Sequence, residues 1–174
     1  GNTETVNSAF KNAHHISKAS IRNNRVVVAC MEPRSAVVEF EEKTGRYTVH
    51  MGCQGTFGMR KQLAALLNVE PAKVRVLTKN VGGSFGMKSF AYPEYICLLH
   101  AAKMLGRPIK WTDERSSSFL SDQQGRDHDV EGELALDKDG NFLAVRLSLF
   151  SNMGGYLAAV GPNMATNNMV KNIT

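Results

Sequence analysis

The chain has 174 residues, 43% of them hydrophobic and 21% charged, enough for one domain to hide roughly two-thirds of the surface its unfolded form exposes without staples. Its longest unbroken apolar run, residues 26–31, is far short of the ~20 residues that cross a bilayer. The formal charge of +5 suits an acidic ligand, but Lys and Arg are scattered rather than gathered into a stripe with interleaved aromatics, which argues against a nucleic-acid partner.

The N-terminal "GNTETVNSAF" lacks the basic start and apolar stretch of a secretory signal, so the expected location is the cytoplasm. Cys30, Cys53 and Cys97 are odd in number and widely spaced with no C-x-x-C pair, so they predict reduced core thiols rather than a metal site or a disulfide framework.

In chain order, residues 4–12 read as a short polar helix. The alternation in "HISKASI" predicts a strand, with Asn23 and Asn24 turning the chain into the apolar run at 26–31. "SAVVEFE" and "RYTVHMGC" flank "EKTG" and predict a hairpin with Gly45 at the bend. A helix follows over 56–67 with Leu63, Leu66 and Leu67 inward, then a turn at "EPAKV" and a strand over 74–77. After a glycine-rich bend, Tyr92, Tyr95, Ile96, Leu99 and Ala102 keep the 3.6-residue period of a second helix, which Gly106 and Pro108 stop.

"PIKWTDE" is the next strand, and "DERSSS" reads as a helix start capped by Asp113 or Ser116. "HDVEGELALD" and "FLAVRLSLFS", joined by "KDGN", predict a long hairpin, and the terminal "GPNMATNNMVKNIT" looks helical. The fold class is therefore α+β: a two-layer unit over 36–114, with a mixed sheet and helices on one face, followed over 115–174 by the long hairpin and a terminal helix.

The bend, "VGGSFGMK" at 81–88, admits three chemistries. Gly82, Ser84 and Gly86 satisfy G-x-S-x-G, and a strand-to-helix setting is what a serine nucleophile requires. The histidine well downstream, His128, is flanked by Asp127 and Asp129, which a strand directs to the opposite face, so neither can orient its ring. A phosphate cradle needs glycine before its lysine, and Met87 precedes Lys88. The third reading is a backbone seat for an anionic or oxo-bearing cofactor, with Gly82, Gly83 and Gly86 baring peptide N–H groups near a helix start.

Together with "MEPR" at 31–34, "CQGTFGMRKQLAALLNVEPAKVRVL" at 53–77 and the run from Trp111 to Tyr156, the bend resembles the large, molybdopterin-binding subunit of the molybdenum hydroxylases. This is the xanthine dehydrogenase and aldehyde oxidase family, and the likeness is greatest to its aerobic carbon monoxide dehydrogenase branch. The resemblance implies that the chain is part of a larger molybdopterin-binding domain. Gly83, Ser84, Phe85 and Gly86 would pack against the molybdenum end of the pterin, with Phe85 as the anchoring aromatic.

It implies hydroxylation of an aldehyde, an N-heterocycle or carbon monoxide with oxygen from water. Electrons would leave through iron–sulfur clusters to FAD on partner domains or subunits, and the pterin would carry a nucleotide or lack one. The catalytic glutamate and the substrate-reading loop would lie beyond Thr174, so no catalytic residue and no protein ligand to metal is expected in this chain, and alone it should be inactive. Gln54 and Arg60 match the family pattern, though a polar helix-start residue and a solvated arginine would look the same. Thr56 and Phe57 replace the usual Pro-His and Ser89 a frequent glutamate, which argues against the purine-oxidising branch. A serine hydrolase on Ser84 is the alternative.

Overall fold

The computed structural model describes residues 2–157 and 161–163, which form two compact units. One comprises residues 27–124; in the other the N-terminal residues to Val26 join the chain from Gly125 onward.

In the unit of residues 27–124, β2 (Ser35–Glu41) and β3 (Arg46–Met51) form the expected hairpin, paired from Ala36↔Met51 to Glu41↔Arg46. Gly45 at its bend has φ +64°, a conformation that costs glycine little and other residues more. Next come α2 (Thr56–Leu67), β4 (Val74–Leu77), α3 (Pro93–Leu105) and β5 (Ile109–Thr112). The sheet order is β4-β3-β2-β5, with β3 and β4 parallel and the other pairs antiparallel. The expected order of hairpin, helix, strand, helix, strand is therefore the one observed.

Period-2 alternation sends Ala36, Val38, Tyr47, Val49, Met51, Val74 and Val76 into one core with Leu63 of α2 and Leu99 of α3. Each fully buried aliphatic side chain contributes about 1.5–3 kcal/mol. Leu66, expected inward, is 58% exposed, because the core-facing positions of this short helix are taken by Met59, Leu63 and Ala64. Cys97, expected in the core, is exposed on α3, whereas Cys30 and Cys53 are buried; all three are free thiols. The two-turn helix α4 (Arg115–Ser121) has Glu114 at its N-cap and no side-chain cap. Asp113 does not cap it, because its carboxylate is occupied in the core by Arg34 and Ser118.

Arg34 is fully buried. Its guanidinium donates to both Glu94 oxygens at 3.0 Å, to Asp122 at 2.5 Å, to Asp113 at 3.3 Å and to the Ser121 hydroxyl at 2.9 Å. It also lies 3.9 Å from the centre of the Tyr92 ring. Residues separated by up to 88 positions are tied by this one side chain. Glu94 and Asp122 hold the guanidinium protonated despite the opposing pull of burial.

The other unit holds a three-stranded antiparallel sheet in the order β1-β6-β7. The central β6 (His128–Leu136) and β7 (Phe142–Ser151) form the predicted long hairpin. At its turn the Asp137 carboxylate accepts from the Asp139 and Asn141 amides. The strand expected at "HISKASI" exists as β1 (His15–Asn23), but it does not turn back onto residues 26–31; it pairs with β6, from His15↔Leu136 to Asn23↔His128. Helix α1 (Thr3–Asn12), capped by the Asn2 side chain, buries Phe10, whose ring lies 4.1 Å from the Arg146 guanidinium of β7. Of the expected terminal helix only Gly161–Asn163 is helical within the described residues; the rest of that expectation lies outside them.

Candidate functional site

The glycine-rich bend leaves the end of β4 and does not lead directly into a long helix. A single 3₁₀ turn, Met87–Ser89, follows Gly86, and α3 begins only at Pro93. The expected helix start beside the glycines is therefore absent, and any electron-rich ligand at this bend meets loop amides rather than a helix terminus.

Three successive features give the bend its shape. Gly83 has φ +101°, Phe85 +49° and Gly86 +93°. A left-handed backbone at a bulky aromatic costs on the order of 1–3 kcal/mol and persists only where its surroundings impose it. The Phe85 ring is 82% exposed, so burial does not offset that cost. Close packing forbids a side chain on Gly82, whose Cβ would lie 2.5 Å from the Glu32 Cβ, whereas at Gly83 the positive φ is what disfavours one.

Gln54, between β3 and α2, fixes the far side of the bend. Its Oε1 accepts from the Ser84 hydroxyl at 2.5 Å and from the Gly86 amide at 2.9 Å. Because a backbone N–H can only donate, the atom facing Gly86 is the carbonyl oxygen. The Gln54 amide nitrogen is left with no partner among the described residues, and the same holds for the backbone amides of Gly83, Ser84 and Phe85. Four donors without acceptors thus accompany an exposed aromatic ring on one short segment and its neighbour. Such a donor set fits an anionic or oxo-bearing group and offers nothing to a cation.

The other readings of this bend fail on its contacts. The Ser84 oxygen accepts from the Lys88 amide at 3.1 Å and gives its proton to Gln54, so no general base attends it. His128, the downstream histidine, instead has Nδ1 2.6 Å from the Ser151 hydroxyl across the β6–β7 hairpin. Lys88 is 1% exposed and its ammonium donates to Glu32 at 2.6 Å, which withholds it from a phosphate. Among the described residues, no group of three or more His, Cys, Asp and Glu side chains could hold a metal ion.

Gly83, Ser84, Phe85 and Gly86 are thus brought together with Gln54, which in the sequence matches the family pattern but equally suits a polar residue at a helix start. Its match to the family pattern is the signal the sequence carries, and a contact between residues 30 positions apart is invisible to local periodicity. Glu32 and Arg34 of "MEPR" are likewise legible as a motif, but not Glu32 as the partner of Lys88 nor Arg34 as a buried ion-pair centre.

A two-layer α+β unit that presents bare loop amides after a sheet strand is the kind of fold that seats a cofactor by its backbone. Residues 1–173 match the family model for the molybdopterin cofactor-binding domain, and the chain belongs to that family. It is 29% identical to the carbon monoxide dehydrogenase large chain of Hydrogenophaga pseudoflava over 93% of this chain and 20% of that one. It is 34% identical to the 6-hydroxypseudooxynicotine dehydrogenase complex subunit gamma of Paenarthrobacter nicotinovorans, over 90% of this chain and 20% of the relative. Among solved structures it is similar to reconstituted CO dehydrogenase from Oligotropha carboxidovorans, with TM-score 0.80 and 28% identity over 87% of this chain and 19% of that chain. The chain therefore spans about a fifth of the length of these relatives.

Proposed function

We propose that residues 83–86, with Gln54, seat the metal end of a molybdopterin cofactor within the large subunit of a molybdenum-dependent oxidoreductase. The observation that carries this reading is the set of unpartnered donors, the amides of Gly83, Ser84 and Phe85 and the Gln54 side-chain nitrogen, beside a strained and exposed Phe85 ring.

When bound, the cofactor would supply the oxygen-transfer and electron-accepting chemistry of hydroxylation with water, on an aldehyde, an N-heterocycle or carbon monoxide. This chain's residues bind and orient: the loop amides and Gln54 donate hydrogen bonds to electron-rich ligand atoms, and Phe85 lends an apolar surface that keeps water from them. Preorganised donors of this kind need no rearrangement when negative charge develops. The catalytic glutamate and the substrate-reading loop come from other parts of the subunit on this reading. Iron–sulfur and flavin groups on partner domains or subunits take the electrons, in the cytoplasm, and the pterin carries a nucleotide or lacks one.

A density map of the complete, cofactor-loaded subunit tests the assignment. The non-protein ligands of the molybdenum should lie within hydrogen-bonding reach of the Gly83, Ser84 and Phe85 amides and the Gln54 side chain; a map with this bend remote from molybdenum would refute it. The hydrolase alternative is tested separately: a fluorophosphonate probe should leave Ser84 unlabelled.

A further inference from the structure

We infer that Glu32 is a positioning residue for the glycine loop: a single carboxylate oxygen ties the loop's two ends together and, through Lys88, sets the Gln54 side chain. The inference concerns how the loop is held, and its bearing on the cofactor rests on the reading of residues 83–86 given above.

Glu32 Oε2 accepts from the Gly82 amide at 2.9 Å and from the Lys88 ammonium at 2.6 Å, while the Glu32 amide donates to the Gly82 carbonyl at 3.1 Å. Gly82 and Lys88 bracket the segment that bears the free amides. Glu32 packs closely on two glycines: a Cβ on Gly82 would lie 2.5 Å from the Glu32 Cβ, and one on Gly52 3.1 Å from that same Oε2.

From Lys88 the connection runs on without a gap. Its carbonyl accepts from the Gln54 amide at 3.2 Å, its own amide donates to Ser84 Oγ, and Ser84 Oγ and the Gly86 amide both donate to Gln54 Oε1. The loop is thus held by a continuous chain of hydrogen bonds through Glu32, Gly82, Lys88, Ser84, Gln54 and Gly86, none of which uses the amides of Gly83, Ser84 or Phe85.

The charge on Glu32 matters because of where Lys88 sits. Glu32 is the only acceptor that the buried ammonium meets among the described residues, and a buried cation without a partner is strongly unfavourable. Glu32 itself is more exposed than its partner, with 37% of its side chain accessible against 1% for Lys88. The Lys88 hydrogen bond keeps the carboxyl below its ordinary range against the opposing pull of burial, so Glu32 stays ionised at neutral pH. A lysine in this position follows the glycines as a phosphate-binding lysine would, but its chemistry here is structural.

The test uses the complete subunit prepared without cofactor, and again after cofactor loading. Glu32→Gln strands the ammonium and is expected to lower the melting temperature. The double variant Glu32→Gln with Lys88→Met removes both charges and should fold. In the cofactor-free double variant, the bonded loop amides of Gly82, Gly86 and Lys88 should exchange hydrogen about tenfold faster than in the parent while amides in α3 keep their protection. After loading, bound molybdenum should fall below about half of the parent value. Parental exchange rates at Gly82, Gly86 and Lys88 in the folded double variant would overturn the inference, whatever the molybdenum content. Faster exchange with undiminished molybdenum would uphold Glu32 as the clamp and instead count against the loop as the cofactor seat.

Discussion

The side-chain oxygen of Gln54 lies 2.9 Å from the amide nitrogen of Gly86, across a separation of 32 residues. This contact orients the Gln54 amide so that its nitrogen is free, and it couples the bend to the start of α2. Two substitutions in the complete subunit separate these roles. Gln54→Ala removes the acceptor and should loosen the bend, with faster exchange at Gly86 and less bound molybdenum. Gln54→Glu keeps an acceptor for Gly86 but replaces the free donor with an anionic oxygen. It should retain the bend's protection while still losing molybdenum, as metal analysis alongside hydrogen exchange would reveal.

Phe85 carries a left-handed backbone that suits glycine, together with a ring that folding leaves exposed. Phe85→Gly should therefore stabilise the cofactor-free subunit slightly, by up to about 1 kcal/mol in denaturant unfolding. The same variant should retain less cofactor than the parent. If stability fell instead, the ring would be contributing to packing.

At Gly82 the limitation is space rather than backbone angle. Gly82→Ala places a methyl group 2.5 Å from the Glu32 Cβ, and backbone at such a contact has to move. A loss of about 1–3 kcal/mol is expected, read as a lowered unfolding midpoint in urea with little change in slope.

Arg34 is surrounded by Glu94, Asp113 and Asp122 at hydrogen-bonding distance. Arg34→Met leaves these carboxylates without their counter-charge and should cost about 3–5 kcal/mol, enough to remove much of the stability of an ordinary domain. Thermal unfolding of the purified subunit is the measurement.

Burial draws the Glu94 carboxyl upward, but the Arg34 hydrogen bonds and charge outweigh it and hold it below its ordinary 4.5. A carboxyl depressed in the folded state stabilises above the unfolded value and loses that contribution as pH falls through the folded one. Stability of the unit containing residues 27–124 should thus be flat from neutral pH to about pH 5.5 and decline below it. In Arg34→Met burial, the largest influence on Glu94, is opposed only by that residue's own backbone hydrogen bond, so its contribution should change sign and favour the folded state as pH falls. Urea titrations at several pH values check both slopes.

Most of the elements were legible because their signals are local. Alternation in "SAVVEFE" and "RYTVHM", the helical period from Tyr95 through Ala102, and Gly45 and Gly106 at turns each act within a few residues. The partner of β1 was not legible: its pairing with β6 spans more than 100 residues, and nothing in "HISKASI" distinguishes that partner from the nearer run at 26–31. The start of α3 was misplaced for a similar reason. The glycines resemble a helix start, yet Pro93, with its fixed φ and missing N–H, is where the helix begins.

The amino-acid sequence by itself determined the α+β class, the order of the elements, the glycine bend and the family resemblance, since these depend on neighbours in the chain and on motifs in a set order. Only the tertiary structure decided what the bend can offer. Whether a peptide N–H is free depends on which distant groups have claimed the others, and here Glu32 and Gln54 take the amides of Gly82 and Gly86 while those of Gly83, Ser84 and Phe85 stay open. Hydrogen-bond partners chosen across 30 to 56 residues are set by how strands and helices pack, and that packing is a property of the folded chain as a whole.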